Sequence, residues 1–195
     1  MSALGFANPV FQSQATFRAI LSALSRPGTR VDAGANLQPP APLAPAAAAA
    51  LLTLADYETP LWISPAFAGS EVAAWLKFHT GAPSAASPKT AAFALIDLAA
   101  DPLDLAAFAE GSAEYPDRST TLIAQVAGLT TTGPLTLSGP GVRGEARFGF
   151  TPCPQTFGAQ WDANHAGFPL GVDLILAAGA QLSALPRSTR LRGGF

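Results

Sequence analysis

Charge is what this chain has least of. Asp, Glu, Lys and Arg make up only 12% of its 195 residues, about half the share of an ordinary soluble domain. Apolar residues make up 49%. So little charge predicts that part of the surface is covered by another protein, an inference weakened by the many alanines, which cost little to expose. Eleven bases against 13 acids leave a net charge of −2, with no basic tract. A nucleic-acid partner is therefore not expected.

Reactive side chains are equally scarce. Cys153 is the single cysteine, so no intrachain disulfide forms, which suits the cytoplasm. Lys77 and Lys89 are the only lysines. A Schiff-base enzyme needs a lysine desolvated or held beside a charge, and neither context supplies that. His79 and His165 are the only histidines, too few with one cysteine to give a four-ligand zinc site. No Gly-x-Ser-x-Gly elbow is present, which excludes an α/β-hydrolase. The most apolar stretch, Ala41 to Ala55, carries Pro42 and Pro45 and stops at Asp56. It is too short to span a bilayer and predicts a buried or partner-facing helix. Met1 to Asn8 has neither a basic cluster nor an apolar run, so no secretory leader is expected.

What is present is organised around the C-terminal stretch. Val172, Leu174, Ile175 and Leu176 follow a Pro169-Leu170-Gly171 turn. Such a near-continuous apolar run predicts a strand covered on both faces, at the centre of a sheet. A second strand, Gln181 to Leu185, follows the Gly179-Ala180 turn and runs into Pro186-Arg187-Ser188-Thr189.

Earlier, Asn8 caps and Pro9 opens a helix that ends at Ser25-Arg26-Pro27-Gly28. Phe17, Ile20, Leu21 and Leu24 are spaced to share one face of it. Thr29 to Val31 is a short strand, Pro45 to Ala55 a helix, and Leu61 to Ser64 a strand. Gly69 to Lys77 is a helix with Val72, Trp75 and Leu76 on one face. Ala91 to Leu98 is a strand, and Asp101 or Asp104 caps a short helix ending near Glu110-Gly111. Strands at Thr120 to Ala127 and Leu135 to Ser138, an edge strand at Glu145 to Phe150 and a helix at Thr156 to Asn164 complete the set. Gly139-Pro140-Gly141-Val142-Arg143-Gly144 has the glycines of a phosphate loop but lacks its Lys-Ser/Thr ending, and strand-like sequence follows. It reads as a hairpin turn. The sum is an α/β fold, one domain over residues 1–195, with a mixed central sheet flanked by helices.

Three groups of residues are candidates for anion binding or for an interface. Asp173 and Arg187 would meet at one end of the sheet if their strands form a hairpin. Arg187 would then hold an anion with Ser188 and Thr189 while Asp173 orients it, or the two would form a buried pair that only fixes the sheet end. Arg26 either faces an anion or serves the C-terminal dipole of its helix. His79 with Thr80 is either a hydrogen-bonding group in a site or a structural helix end. These residues do not by themselves reach a reaction, and no catalytic residue is assigned.

Several segments together resemble a known family. They are Phe17-Arg18 through Arg26-Pro27-Gly28, Leu51 to Asp56, Thr59-Pro60-Leu61-Trp62 and Phe78-His79-Thr80. Gly139 with Gly141, Phe168 to Leu176, and Leu185-Pro186-Arg187-Ser188-Thr189 complete them. In this order and spacing the chain resembles the PhnH subunits of the bacterial carbon–phosphorus lyase system. The loops at Ala33 to Pro45 and Leu98 to Asp117 are the least family-like.

The resemblance implies a fold similar to the large domain of pyridoxal-phosphate transferases of the aspartate aminotransferase type, without that cofactor or its lysine. It implies a homodimer when alone and a core complex with PhnG, PhnI and PhnJ. It also implies a supporting part in replacing the adenine of ATP by an alkylphosphonate, which gives a ribose 1-phosphonate 5-triphosphate. No cofactor and no metal are expected. The alternative is a self-sufficient small-molecule transferase with its site at its own dimer interface.

Overall fold

The computed structural model describes residues 4–193. Met1 to Ala3, part of the stretch read for a leader, and Gly194 and Phe195 lie outside the described residues. Six strands form one mixed sheet: β1 (Val31–Asp32), β2 (Leu61–Ile63), β3 (Phe93–Asp97), β4 (Thr121–Gln125), β7 (Asp173–Ala178) and β8 (Gln181–Leu185). Their order is β1-β8-β7-β4-β3-β2. Strands β2, β3, β4 and β7 are mutually parallel; β8 runs antiparallel to β7, and β1 antiparallel to β8.

Val172, Leu174, Ile175, Leu176 and Ala177 are all buried, as expected of a strand with neighbours on both sides. The strand continues two residues further than its sequence suggests. Ala178 pairs Gln181 across a two-residue turn, and Leu174 pairs Leu185.

Entry to β7 is set by packing. Asn164 accepts from Val172 N at 2.8 Å and donates to Val172 O at 3.0 Å. Gly171, at φ +122°, passes so close that a Cβ there would lie 2.8 Å from Asn164 Oδ1. Only glycine fits both constraints.

Successive strand residues point to opposite faces, and the sheet separates two cores. On one side Leu95, Ile123, Ile175, Ala177, Leu182 and Ala184 pack against α1 (Pro9–Ser25), α2 (Pro45–Leu54) and α3 (Val72–Thr80). Ala46 to Ala50 of α2 are wholly buried; five small side chains let this helix lie close to its neighbours. Its first turn docks on the hairpin, Ala46 N donating to Gly179 O at 2.8 Å. In α3, Val72, Trp75 and Leu76 are buried as their spacing predicts.

Helix α1 departs from expectation. It buries Thr16, Ile20 and Ala23, while Phe17 and Leu21 are 46% and 48% exposed beside exposed Val10 and Phe11. The side of α1 carrying these large apolar residues faces solvent. None of the described helices is long and apolar enough to cross a membrane.

The opposite face holds a second sheet that the sequence did not separate from the first. It consists of β5 (Gly128–Ser138), β6 (Ala146–Thr151) and β9 (Arg190–Arg192), antiparallel in the order β6-β5-β9. The segment expected as an edge strand of one sheet is therefore an edge of this one. Leu135, Leu137, Phe148 and Phe150, with Phe157 and Trp161 of α4 (Phe157–Ala166), share a core with Leu122, Leu174, Leu176 and Leu185. The glycine-rich segment is the β5–β6 turn. Gly141, at φ +80°, sits against the end of α1, where a Cβ would come within 2.1 Å of Ser25 O. The helix expected between Asp101 and Gly111 is a single 3₁₀ turn, Leu105–Ala107, capped by Asp104 through Ala106 N at 3.1 Å.

Candidate functional site

The β7–β8 hairpin brings the C-terminal candidates together. Asp173 begins β7, and Arg187 stands two residues beyond β8. Arg187 donates from its backbone N and from Nε to Asp173 Oδ1 at 2.8 and 3.1 Å, and from Nη2 to Asp173 Oδ2 at 2.5 Å. Nη1 donates to Pro116 O and Pro169 O at 3.0 and 3.3 Å, and Nη2 also donates to Ser119 Oγ. A guanidinium has five N–H groups, and all five point at acceptors of the chain itself. The side chains are only 12% and 25% exposed. Such a saturated fork fastens the loops at Pro116 and Pro169 to the sheet and offers no donor to an external anion.

The neighbouring candidates do not open a site either. Thr189 is fully buried, with its carbonyl accepting from Trp161 Nε1 at 2.8 Å and its hydroxyl without a partner among the described residues. Ser188 is half-buried. His165 contacts Arg187 O through Nδ1 at 2.9 Å and accepts from Arg190 Nε at Nε2, 3.3 Å away. Both contacts are satisfied by the neutral ring with its proton on Nδ1.

Asp173 also lies at the amino end of a parallel strand. Open α/β sheets hold ligands outside the carboxyl ends, so the rim expected to bind a ligand is the opposite one. At that carboxyl rim stand residues the sequence reading passed over. Asp97 closes β3 and Gln125 closes β4. Gln125 donates to Asp97 Oδ2 and Pro42 O, each at 3.0 Å, and accepts from Ala44 N at 2.7 Å. Asp101 accepts from Ser64 Oγ at 2.5 Å, Ala66 N at 3.2 Å and Asp97 N at 3.3 Å. Asp101, weighed as a helix cap, instead fastens the turn after β2. The available signal was a polar residue closing each of two apolar strands.

The remaining candidates sit elsewhere. Arg26 follows α1, its Nη2 donating to Ser22 Oγ. His79 and Thr80 end α3. Thr80 Oγ1 donates to Leu76 O at 2.7 Å and accepts from Ala82 N at 3.1 Å, a helix-end role. The His79 ring packs edge-on to Trp75 and Phe78 at 4.8 and 5.0 Å. It borders a cleft of about 790 Å³ with Ser13, Asn36, Gln38 and Leu52. No hydrogen bond or ion pair among the described residues joins Arg26, the α3 end and the Asp173–Arg187 pair. Lys77 Nζ donates to Gly81 O and Ala82 O at 3.0 and 3.2 Å, and Lys89 Nζ to Phe108 O at 2.8 Å. Burial pushes the Cys153 thiol up to about 11, so it is protonated and a poor nucleophile at neutral pH. Among the described residues no three His, Cys, Asp or Glu side chains are grouped to hold a metal ion.

Comparison with known proteins supplies what this geometry does not. The sequence model of the bacterial phosphonate metabolism protein PhnH matches residues 4–192. The chain belongs to the PhnH family. Among PhnH relatives, the chain is 40% identical over 186 residues to the alpha-D-ribose 1-methylphosphonate 5-triphosphate synthase subunit PhnH of Rhizobium meliloti (strain 1021), covering 95% of this chain and 93% of that protein. It is 36% identical over 84 residues, 42% of each chain, to the putative C-P lyase subunit protein HtxG of Stutzerimonas stutzeri. Both relatives are named as subunits, in accord with a PhnH chain whose polar clusters are engaged in holding its own fold.

Proposed function

We propose that this chain is an accessory subunit of an α-D-ribose 1-methylphosphonate 5-triphosphate synthase in phosphonate catabolism. The observation that carries this reading is the 40% identity over nearly the full length of both chains to a subunit of that name. In this role it supports partners of the PhnG, PhnI and PhnJ types in moving the ribose triphosphate of ATP from adenine to an alkylphosphonate. It is a homodimer when alone and works in the cytoplasm.

Three features of the fold support a supporting rather than a self-sufficient role. Arg187 has no donor left for substrate. The carboxyl rim of the parallel strands is filled by Gln125 and Asp101 contacts. Helix α1 leaves Val10, Phe11, Phe17 and Leu21 exposed, the kind of apolar surface that another chain covers. The kinship to the large domain of pyridoxal-phosphate transferases is part of the same proposal, supported by the mostly parallel sheet under a layer of helices.

The test is reconstitution. The chain alone, the other subunits alone, and the full set are each given ATP and methylphosphonate, and adenine release is followed. Release by the full set that falls when this chain is omitted supports the proposal. Release by this chain alone establishes a self-sufficient transferase. Equal release with and without it refutes the supporting role.

A further inference from the structure

We propose that the outer face of the three-stranded sheet, through Arg147, Arg190 and Arg192, docks on an acidic protein surface of another subunit. The proposal rests on the reading of this chain as one subunit of an assembly.

The register builds this face. Leu135, Leu137, Phe148 and Leu191 point into the core. Alternation therefore sends Thr136, Ser138, Arg147, Arg190 and Arg192 outward, and the three arginines are exposed. Thr136 pairs with Arg147 on one side and with Arg192 on the other, and Ser138 pairs with Arg190. Two short hydroxyl side chains thus form a low central row between arginines on both flanking strands. The strands β5, β6 and β9 contain no acidic residue. Exposed Glu145, just before β6 and two residues from Arg147, continues the register beside Ser138 as the one acid at this face, and exposed Arg143 in the adjoining turn adds a fourth base.

Neither solubility nor chance accounts well for this placement. A face made only to stay soluble mixes both signs evenly; here Glu145 alone stands against the arginines, in a chain with just 11 bases and a net charge of −2. Three of those bases share one side of a small sheet. Arginine is also the base that interfaces favour, because its planar fork pairs with carboxylates at modest desolvation cost.

The spacing selects the kind of partner. Arg147 and Arg192 are two strands apart, with backbones separated by about 10 Å. Arg190 and Arg192 are about 7 Å apart along β9. Arg147 Nε is held by Gly133 O at 2.8 Å, and Arg190 Nε by His165 Nε2 at 3.3 Å. These separate tethers keep the guanidiniums from converging on one small anion. An open sheet face also lacks the concave walls that small ligands use. Spread positive charge on a flat surface fits carboxylates spread over a protein surface, which complementary charge would steer and register.

The experiment uses the full chain, tagged and co-expressed with the other subunits of the phosphonate system. Wild type is expected to retain them at ~0.1 M salt and to lose much of them at ~0.5 M, where surface charge is screened. Arg147→Glu/Arg192→Glu is expected to retain at least about tenfold less, and Arg147→Lys/Arg192→Lys to stay within about threefold of wild type, if complementary charge carries the contact. Arg147→Gln/Arg192→Gln, which introduces no repulsion, should fall between them. Thermal melts confirm that each variant is folded.

Retention of partners by a folded Glu variant at the wild-type level overturns the docking surface and leaves the subunit reading intact. Failure of the wild-type chain to retain any partner overturns both. Tripolyphosphate or duplex DNA is offered separately. Binding of either that is lost in the Glu variant, with assembly unaffected, gives the face to that anion and overturns the proposal.

Discussion

Arg187 grips both carboxylate oxygens of Asp173 and, through the same guanidinium, the carbonyls of Pro116 and Pro169. One side chain therefore joins the start of β7, the end of the β8 segment and two loops distant in sequence. Replacing Arg187 by Ala strips a mostly buried carboxylate of its counter-charge, leaving it the backbone N–H of residue 187, and removes the guanidinium donors from two carbonyls. The expected loss is about 3 kcal/mol in urea denaturation. Arg187→Lys should recover less than half of it, because a point charge cannot fork. Adenine release by reconstituted complex, per folded molecule, should stay near wild type. A stable Arg187→Ala protein that cannot support release would instead make this arginine a ligand-binding group.

The β5–β6 turn offers a paired test of backbone strain. Gly141→Ala combines a left-handed φ with a Cβ driven against Ser25 O, and should cost more than about 2 kcal/mol. Gly144 has φ +68° with open space around it, so Gly144→Ala should cost only about 1 kcal/mol. Equal losses in denaturant melts would mean that the turn does not rest on α1.

Cys153 sets a pH dependence. Burial raises its pKa from 9.0 to about 11, so the folded state binds its proton more tightly than the unfolded chain. Its contribution to stability is full below pH 9 and is lost as pH climbs from 9 to 11. Cys153→Ala should flatten the stability profile across that window. Iodoacetamide at pH 8 should label the native thiol at least about 50-fold more slowly than the urea-unfolded chain.

Helix α1 predicts an association phenotype. Phe17→Ser/Leu21→Ser removes partly exposed apolar surface, so monomer stability should change by no more than about 1 kcal/mol. Self-association measured by light scattering at micromolar concentration should weaken. An unchanged oligomer would place the dimer contact on another face.

Legibility followed the range of the interactions. The apolar run into β7, the Asn8-Pro9 start of α1 and the alanine run of α2 are local patterns, and the structure contains all three. A hairpin turn is also local, so the meeting of Asp173 and Arg187 could be anticipated across it. The second sheet could not, since Arg190-Leu191-Arg192 is a three-residue strand whose pairing with β5 depends on chain far away.

That Asp173 opens its strand is plain from the sequence, but no spacing reveals that β2, β3 and β4 run parallel to β7, which makes its end the amino rim of the sheet. In α1, helical periodicity located an apolar group but not which part of it another surface covers; Phe17 and Leu21 fit the same stripe as Ile20. The network of Asp97, Asp101 and Gln125 needed three loops placed in space. Family membership was legible because it rests on order and spacing across nearly the whole chain.

The docking of Ala46 on Gly179 has a wider consequence. In an open α/β sheet the doorway for a ligand lies beyond the carboxyl ends of the strands. Here the chain bolts that doorway from inside, since the amide at the start of α2 closes over the β7–β8 turn and Gln125 holds the loop beside it. In the accessory role proposed for it, what the chain contributes to chemistry lies on its outside, in the surfaces it lends to neighbouring subunits.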